Sequence, residues 1–158
     1  MITQNQRAFL DTIAHSEIGA RLLAQSDNGY NVLVGSTPEQ PHLFTSYADH
    51  PRQLITFKGN LKSTAAGRYQ LLARYFDYYK SFLQLSDFSP ASQDAIAIQQ
   101  IKERKAFDDI EAGNIELAIN KCANIWASLP GQLNVYNQHI NKMDDLVAAY
   151  VQAGGTIG

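Results

Sequence analysis

Apolar residues recur every three or four positions in several stretches of the chain, the spacing of a helix with one buried face. The first stretch ends near Ala14 and follows Thr3 and Gln6, a pair typical of a capping box, so it predicts an N-terminal helix. From Ser63 onwards the pattern predicts four more helices: one capped by Ser63 and carrying Leu72 to Leu83, one over Ala91–Lys105 behind Ser89-Pro90, one from Asn114 to about Gly131, and a last one ended by Gly154-Gly155.

Between the first helix and these later ones, the pattern changes to short runs of strand-forming residues. Asn28-Gly29 is a turn signal, and Tyr30–Val34 behind it is rich in residues that favour strands. His42–Phe44 and Leu54–Phe57 are two further candidates, set apart by prolines. The three runs predict a small antiparallel sheet with long loops.

This order of elements predicts an α+β fold with a small β region and a mainly helical lobe. The chain has 158 residues, of which 45% are hydrophobic, and it shows no repeat or obvious linker. We therefore expect one domain over residues 1–158, with a β-rich part at about 27–60 and a helical lobe at about 61–155. Such folds often leave a cleft between sheet and helices, where we expect the active site.

Charge and hydropathy argue against several classes of function. The chain carries 13 basic and 15 acidic residues, a balance that does not favour nucleic acid as a partner. Its first residues are polar and do not form a signal peptide, and no apolar run approaches the roughly 20 residues that span a membrane. We expect a protein made in the cytoplasm that has no stable membrane association.

Several chemistry-bearing residues are better explained by packing than by catalysis. Cys122 and Trp126 share an apolar helical stripe, so we expect a buried thiol and a core indole, and a lone cysteine forms no internal disulfide. The histidines lack the spacing of metal ligands, and we expect them on the surface or in loops: His15, His42, His50 and His139. No metal and no cofactor is expected.

Glu17 is the strongest candidate for catalysis. It stands where the apolar pattern of the first helix stops, between Ser16 and Gly19, at the junction with the β region. A carboxylate at a helix C-terminus meets an unfavourable dipole, and the preceding apolar face predicts partial desolvation. Both effects raise a carboxyl pKa, which suits a general acid. From position alone, the alternative is a solvated acid at a helix end.

The stretch Ser63–Gln70 is the second candidate. Gly67 weakens a helix and favours close approach of another chain or a ligand. Tyr69 offers a flat stacking surface and Gln70 a donor and acceptor pair, which fit sugar hydroxyls and acetamido groups. An ordinary helix start explains the same residues. We expect Tyr69 and Gln70 to contact substrate, with Ser63, Gly67 and Tyr30 as further candidates.

Many blocks of the chain match one family in the same order, over nearly the whole length. The chain resembles the phage lambda endolysin family, which are lytic transglycosylases of the lysozyme superfamily. The blocks that carry the resemblance are NQRAFLD at Asn5–Asp11, Ser16-Glu17, NGYNVLVG at Asn28–Gly35, DHPR at Asp49–Arg52, LKSTAAGRYQLL at Leu61–Leu72, DFSPASQDA at Asp87–Ala95, QQIKER at Gln99–Arg104, NIWASLPG at Asn124–Gly131 and AGGT at Ala153–Thr156.

The resemblance implies a lysozyme-like fold and cleavage of the β-1,4 bond between N-acetylmuramic acid and N-acetylglucosamine in peptidoglycan, for host cell lysis. It implies that the muramyl 6-hydroxyl, not water, attacks the anomeric carbon and leaves a 1,6-anhydro end. The family's catalytic glutamate matches Glu17. The resemblance also implies a monomer that waits in the host cytoplasm until a holin releases it to the periplasmic peptidoglycan.

Two competing functions stay open at this point. A hydrolytic muramidase on the same fold needs a second carboxylate or a held water, and Asp27 and Asp49 are the candidates for that carboxylate. For both aspartates we expect a structural role instead, in a turn and in a loop. A non-catalytic module that binds the cell wall is the other alternative. Residues 18–27, 36–41 and 132–139 depart from the family, which bears on subsite geometry.

Overall fold

The structure is a computed structural model that describes residues 1–131 and 140–158. Over these residues the chain is mostly helical and contains one two-stranded antiparallel sheet, so the predicted α+β class is confirmed. The elements are α1 (Gln4–Glu17), α2 (Ala20–Gln25), β1 (Ile55–Phe57), β2 (Leu61–Ser63), α3 (Ala73–Phe82), α4 (Pro90–Glu103), α5 (Phe107–Ala112), α6 (Ile115–Cys122) and α7 (Met143–Gln152). No described helix is both long and apolar enough to cross a membrane.

The chain divides into two compact units, with boundaries after residue 17 and after residue 96, which lies inside α4. The first unit contains residues 1–17 and 97–158. In it, α1 packs against α5 and α7, and α6 packs against the same two helices. The fully buried residues of α1 are Ala8–Leu10, Ile13 and Ala14, so the helix is covered over more than one face. The largest fully buried side chains of this unit include Phe9, Leu10, Ile13, Ile110, Ile119, Leu146 and Tyr150.

The start of α1 has the capping box that the sequence predicts. The N–H of Gln6 donates to the Thr3 hydroxyl at 3.0 Å, and the Gln6 side chain accepts from the N–H of Thr3 at 3.2 Å. Two N–H groups at the helix start, which have no partner inside the helix, are thereby satisfied. The helix continues three residues beyond the predicted end at Ala14, so Glu17 belongs to it.

The second unit contains residues 18–96. Its core combines the β-rich loops with α3 and the first part of α4: Leu33, Phe44, Ala66, Leu71, Phe76, Tyr79, Phe88 and Ile96. The sheet pairs Ile55 with Ser63 and Phe57 with Leu61. Of the three predicted strands only the last one is in the sheet. Tyr30–Val34 and His42–Phe44 do pair, but only through a single antiparallel bridge between Val32 and Leu43.

The prediction that Ser63 caps a long helix is wrong, because α3 begins ten residues later, at Ala73. Ser63 lies in β2, and the chain between them takes a left-handed conformation at Gly67 (φ 86°) and Gln70 (φ 50°), which no α-helix tolerates. The hydroxyl that accepts the first N–H of α3 belongs to Thr64, 3.0 Å from the nitrogen of Ala73.

The later helices follow the sequence more closely. α4 begins at Pro90, and the hydroxyl of Ser89 accepts from the N–H of Ser92 at 3.3 Å, as expected of a cap. The helix predicted from Asn114 to about Gly131 ends at Cys122, so its length is wrong. The short helix α5 is missing from the sequence prediction, because six residues carry too little periodicity to be recognised.

Candidate active site

Glu17 is the last residue of α1 and lies in the first unit. The helix buries Ala8 through Leu10 and Thr12 through Ala14, and that packing fixes the position of its C-terminal turn. The residue is partly buried. At this end of a helix the free carbonyl groups carry partial negative charge, so the helix does not stabilise an ionised carboxylate.

The electrostatics of Glu17 are those of a carboxyl group that titrates near neutral pH. Burial raises the pKa of Glu17 from 4.5 to about 7, and a hydrogen bond with the Ser128 side chain opposes this by lowering it. No charged side chain among the described residues contributes to the shift. The group is therefore present in both its protonated and its ionised form at neutral pH, and it can donate or accept a proton there.

The Glu17 carboxyl bonds to Ser128, and Ser128 is linked through Ser16 to Asn141 within the first unit. Ser128 is 3% exposed, and its hydroxyl oxygen lies 2.7 Å from that of Ser16. The side-chain nitrogen of Asn141 donates to the Ser16 hydroxyl at 2.9 Å and to the Ser16 carbonyl at 3.1 Å. The N–H of Asn141 donates in turn to the carbonyl of Ser128 at 2.8 Å. The loops that carry Ser128 and Asn141 are thus tied to the end of α1.

The other predicted site residues lie in the second unit, where Tyr30 and Tyr69 meet at one carboxylate. Their hydroxyls donate to the same oxygen of Asp94, at 2.9 and 2.6 Å. The guanidinium of Arg68 lies over both rings, 5.3 Å from the centroid of Tyr30 and 5.6 Å from that of Tyr69. Burial, and then the charge of Asp94, raise the pKa of Tyr30, and burial is also the main cause of the raised pKa of Tyr69. Both phenols therefore keep their protons and act as donors.

The two tyrosines differ in what they can offer a ligand. Tyr69 is 5% exposed, and its hydroxyl also accepts a 3.0 Å hydrogen bond from Arg68. Its ring is therefore largely covered, unlike the flat stacking surface that the sequence leads us to expect. Tyr30 is only partly buried and meets Tyr69 edge-on, with ring centroids 6.5 Å apart.

Gly67 is buried, and the close neighbour that its missing side chain admits is Gln93 of α4. A Cβ at this position would lie 2.9 Å from Cδ of Gln93 and 3.0 Å from Cζ of Phe88. The side-chain oxygen of Gln93 accepts from the N–H of Arg68, and its side-chain nitrogen donates to the backbone carbonyls of Tyr30 and Phe88. One side chain thereby fixes the backbones of the Tyr30 and Gly67 loops.

Gln70 and Ser63 complete the predicted set. The amide nitrogen of Gln70 donates to the carbonyls of Gly67 and Val32, at 2.8 and 3.2 Å. These bonds hold a partly exposed side chain in one orientation. None of the described residues donates to its amide oxygen, which makes Gln70 the best-formed acceptor of the set. The Ser63 hydroxyl accepts from the N–H of Ala65 at 3.0 Å.

The two aspartates considered as second carboxylates are engaged in the loops of the second unit. Asp49 accepts from the N–H of His50 at 2.8 Å and from the guanidinium of Arg52 at 2.9 Å, which confirms the expected structural role. The Arg52 hydrogen bond is the main cause of its lowered pKa. Asp27 accepts a 2.6 Å hydrogen bond from the Tyr47 hydroxyl.

The predictions that Cys122 and Trp126 are core residues are confirmed, and the prediction for His50 needs a correction. Cys122 is fully buried and Trp126 is 2% exposed, as expected of core residues. His50 lies in a loop but is also buried, with Nε2 2.8 Å from the Leu71 carbonyl and Nδ1 accepting from the N–H of Arg52. Burial lowers the pKa of His50, so the ring is neutral and belongs to the core. His139 lies outside the described residues, as does the divergent segment 132–139.

Sequence reasoning missed the residues that support the candidates. Ser128 and Asn141 are more than 100 positions from Ser16, and Gln93 and Asp94 lie far from Tyr30. No periodicity or spacing rule connects such distant positions. Ser128, Gln93 and Asp94 do fall inside blocks that carry the family resemblance, which was the one available signal.

Comparison with known structures defines the class of this fold as lysozyme-like. The lysozyme of bacteriophage lambda, solved in complex with a chitohexasaccharide, matches with a TM-score of 0.90 and 51% identity over 100% of this chain and 99% of that one. A second structure of lysozyme from bacteriophage lambda gives a TM-score of 0.86 and 48% identity, with the same coverage.

The sequence comparisons identify the family. The family model described as Endolysin matches residues 7–157. The endolysin of Escherichia phage lambda is 51% identical over 157 residues, covering 99% of this chain and 95% of that protein. The endolysin of Escherichia phage P2 is 46% identical over 158 residues, covering 96% of this chain and 94% of that protein. The chain belongs to the endolysin family.

Proposed function

We propose that this endolysin is a lytic transglycosylase, which cleaves the β-1,4 bond between N-acetylmuramic acid and N-acetylglucosamine in peptidoglycan. Glu17 is the catalytic residue and acts first as the acid and then as the base. The observation that carries the proposal is the pKa of Glu17, which burial raises to about 7. An acid that later serves as a base works best when its pKa lies near the operating pH.

The proposed reaction needs no water. Protonated Glu17 gives its proton to the glycosidic oxygen as the bond from that oxygen to the anomeric carbon breaks. The 6-hydroxyl of the same muramyl residue then forms a bond to the anomeric carbon, and its proton passes to the Glu17 carboxylate. The substrate's acetamido group helps to stabilise the positive charge at that carbon. Glu17 ends protonated, ready for the next cleavage.

Two physical arguments favour this reaction over hydrolysis. Attack from within the sugar gains a large effective molarity, so the protein does not have to hold a water in place. A hydrolase of the usual kind pairs its acid with a second carboxylate several ångströms away. No other described carboxylate contributes to the pKa shift of Glu17. Asp49, one of the two candidates for a second carboxylate, is bound to Arg52 and to the N–H of His50. Both observations support the single-acid mechanism.

For substrate contacts we propose Gln70 and the small exposed part of Tyr69, with Tyr30, Ser63 and Gly67 as supporting positions. Gly67 supports the site by allowing Gln93 to fix the loop, not by admitting the substrate. Gln70 has the strongest support, because its amide nitrogen is fixed by two backbone carbonyls while its amide oxygen accepts no hydrogen bond from a described residue. Sugar hydroxyls and acetamido N–H groups are suitable donors to that oxygen. The relative solved with a chitohexasaccharide supports a glycan as the ligand. Release by a holin, action on periplasmic peptidoglycan and a monomeric state stay predictions.

Product analysis tests the reaction directly. Purified peptidoglycan is digested in water labelled with a heavy oxygen isotope, and the soluble fragments are analysed by mass spectrometry. We expect muropeptides that end in 1,6-anhydro-N-acetylmuramic acid and carry no label. Labelled reducing ends would instead identify a hydrolytic muramidase, and the absence of any soluble fragment would identify a wall-binding module.

The role of Glu17 is tested in the same assay. Glu17→Gln should lower the rate of product formation by at least about a thousandfold, because an amide can act neither as the acid nor as the base. Glu116→Gln is the matched control: it changes an exposed glutamate of α6 in the same way and should leave the products and their rate unchanged. Retention of most activity by Glu17→Gln would overturn the assignment.

A further inference from the structure

Ser128, Ser16 and Asn141 form a chain of hydrogen bonds that ends at Glu17. The Ser128 side chain bonds to the Glu17 carboxyl, the Ser16 hydroxyl lies 2.7 Å from the Ser128 hydroxyl, and Asn141 donates to Ser16 at 2.9 Å. Ser128 is buried, and Ser16 and Asn141 are partly buried. All four residues belong to the first unit.

The geometry fixes the direction of the first bond in this chain, from Asn141 to Ser16. The Asn141 nitrogen also donates to the backbone carbonyl of Ser16, which can only accept, so the orientation of the amide is fixed. The Ser16 hydroxyl therefore accepts from Asn141, and its own proton and its second lone pair remain for the 2.7 Å contact with Ser128. When Ser16 donates its proton in that contact, Ser128 keeps its single proton for the carboxylate of Glu17.

We propose that Ser128 is a positioning residue for Glu17, and that Ser16 and Asn141 orient its hydroxyl so that it donates to the ionised carboxylate. This inference rests on the proposed function, because it assigns a second role within the same catalytic step. The donated hydrogen bond favours the ionised form of Glu17. It also holds one carboxylate oxygen in place, so that the other oxygen is presented to the substrate.

The hydrogen bond from Ser128 offsets part of the rise that burial causes in the pKa of Glu17. Burial alone would raise the pKa of Glu17 further, and the group would then be ionised, and able to act as the base of the second step, in a smaller fraction of molecules at neutral pH. A donor that interacts more strongly with the carboxylate than with the carboxylic acid lowers the pKa again. The two opposing causes acting on Glu17 are this burial and this hydrogen bond.

The contribution of the hydroxyl can be separated from that of the backbone. The Ser128 carbonyl accepts from the N–H of Asn141 at 2.8 Å, and this bond persists when the serine side chain is removed. Ser128→Ala therefore deletes the donor to Glu17 and leaves that tie between the loops. Asn141→Ala leaves Ser128 in place and removes the amide that orients the Ser16 hydroxyl and that also binds the Ser16 carbonyl.

The experiment measures the titration of Glu17 directly, by nuclear magnetic resonance of the side-chain carboxyl carbon in isotopically labelled protein. We expect Ser128→Ala to raise the midpoint by about one pH unit, the size expected for loss of a hydrogen bond to a charged group. Asn141→Ala should raise it by less. In the double variant the shift should equal that of Ser128→Ala alone, because Asn141 acts only through Ser128.

Activity on peptidoglycan provides the second readout. The descending limb of kcat/KM with rising pH reports the acid form of Glu17 in the free enzyme, so it should move upward with the titration midpoint. Ser128→Thr keeps the hydroxyl and should restore both measurements. Ser92→Ala is the matched control, since Ser92 is also buried and donates to a carboxylate, that of Asp87, at 2.7 Å.

The outcomes separate this inference from the proposed function. An unchanged midpoint in both Ser128→Ala and Asn141→Ala overturns the inference, as does an equal shift in Ser92→Ala. A uniform loss of activity at every pH, with no movement of the limb, would show a merely structural role and overturns it too. If the wild type forms no anhydro products while the midpoint still shifts, the proposed function fails and the hydrogen-bond assignment stands.

Discussion

The side-chain amide of Gln93 occupies the space that a Cβ at Gly67 would need, and its oxygen accepts from the N–H of the next residue, Arg68, at 2.9 Å. The same amide reaches the carbonyl of Tyr30 at 3.1 Å. This contact requires a residue without a side chain at position 67, and it fixes two loops that carry proposed substrate contacts. The glycine is therefore explained by an approach from within the protein.

Gly67→Ala should destabilise the protein by about 2–4 kcal/mol, from the strain of alanine at positive φ and from the displacement of Gln93. The backbone angle φ at Gly67 is 86°, and an added Cβ would approach Gln93 and Phe88. Denaturant unfolding followed by circular dichroism measures the loss. Gly59→Ala is the matched control, with φ of 83° and nothing within 4 Å of the added Cβ. It should cost only about 1 kcal/mol, and equal losses in the two variants would contradict the role of Gln93.

The segment from Ser63 to Leu72 shows where the sequence misleads. Small residues followed by an apolar, aromatic run resemble the start of a helix, and the helix does form, but only from Ala73. The turn before it depends on mutual hydrogen bonds between Ala66 and Leu71 and on the approach of Gln93 from α4. Tertiary contacts of this kind override local propensity and leave no periodic signal.

Glu17 should also make stability depend on pH. Because its pKa is raised by folding, from 4.5 to about 7, the folded protein retains a proton that the unfolded chain has lost between these values. The free energy of unfolding should fall as the pH rises through this window, by at most about 3 kcal/mol. Below about pH 4.5 the contribution is complete, and above about pH 7 it is lost.

The measurement compares the wild type with Glu17→Gln by denaturant unfolding at several pH values. The two proteins should be nearly equal in stability at about pH 4.5, and the variant should become more stable than the wild type as the pH approaches about 8. Glu116→Gln, at an exposed position, should not reproduce this trend. A difference between wild type and Glu17→Gln that stays constant over the whole range would show that folding does not raise the pKa of Glu17.

The candidate site divides into a part that the sequence predicts and a part that it cannot. Glu17 can be predicted from the sequence, because its position at the end of an apolar stripe and its match to the family's catalytic glutamate point to the same residue. The direction of its pKa shift also followed from the helix end and the apolar face. Ser128 and Asn141 bind Ser16 from 112 and 125 positions away, and Asp94 binds Tyr30 from 64 positions away, so spacing along the chain does not connect these residues.

Gln70→Ala should weaken substrate binding. If the Gln70 amide oxygen accepts one hydrogen bond from the glycan, its loss raises KM by about three- to tenfold with a smaller change in kcat. Gln84→Ala is matched in backbone conformation, since φ is 50° at Gln70 and 54° at Gln84, and Gln84 is exposed just after α3. Turbidity assays over a range of peptidoglycan concentrations measure both constants. Equal KM values for the two variants would remove Gln70 from the substrate contacts.

Cys122 should be unreactive in the folded protein. Its side chain is fully buried in α6, and that burial raises the pKa of the thiol from 9.0 to about 12. Because the thiolate is the reactive form, its fraction at about pH 8 falls by about a thousandfold relative to an ordinary thiol. A chromogenic disulfide reagent should therefore modify the native protein only as fast as it unfolds, and modify the urea-unfolded chain at once. Since the chain has one cysteine, the signal has no other source. Rapid modification without denaturant would mean that the core around α6 opens under native conditions, and the same opening would expose neighbouring Trp126 to a fluorescence quencher.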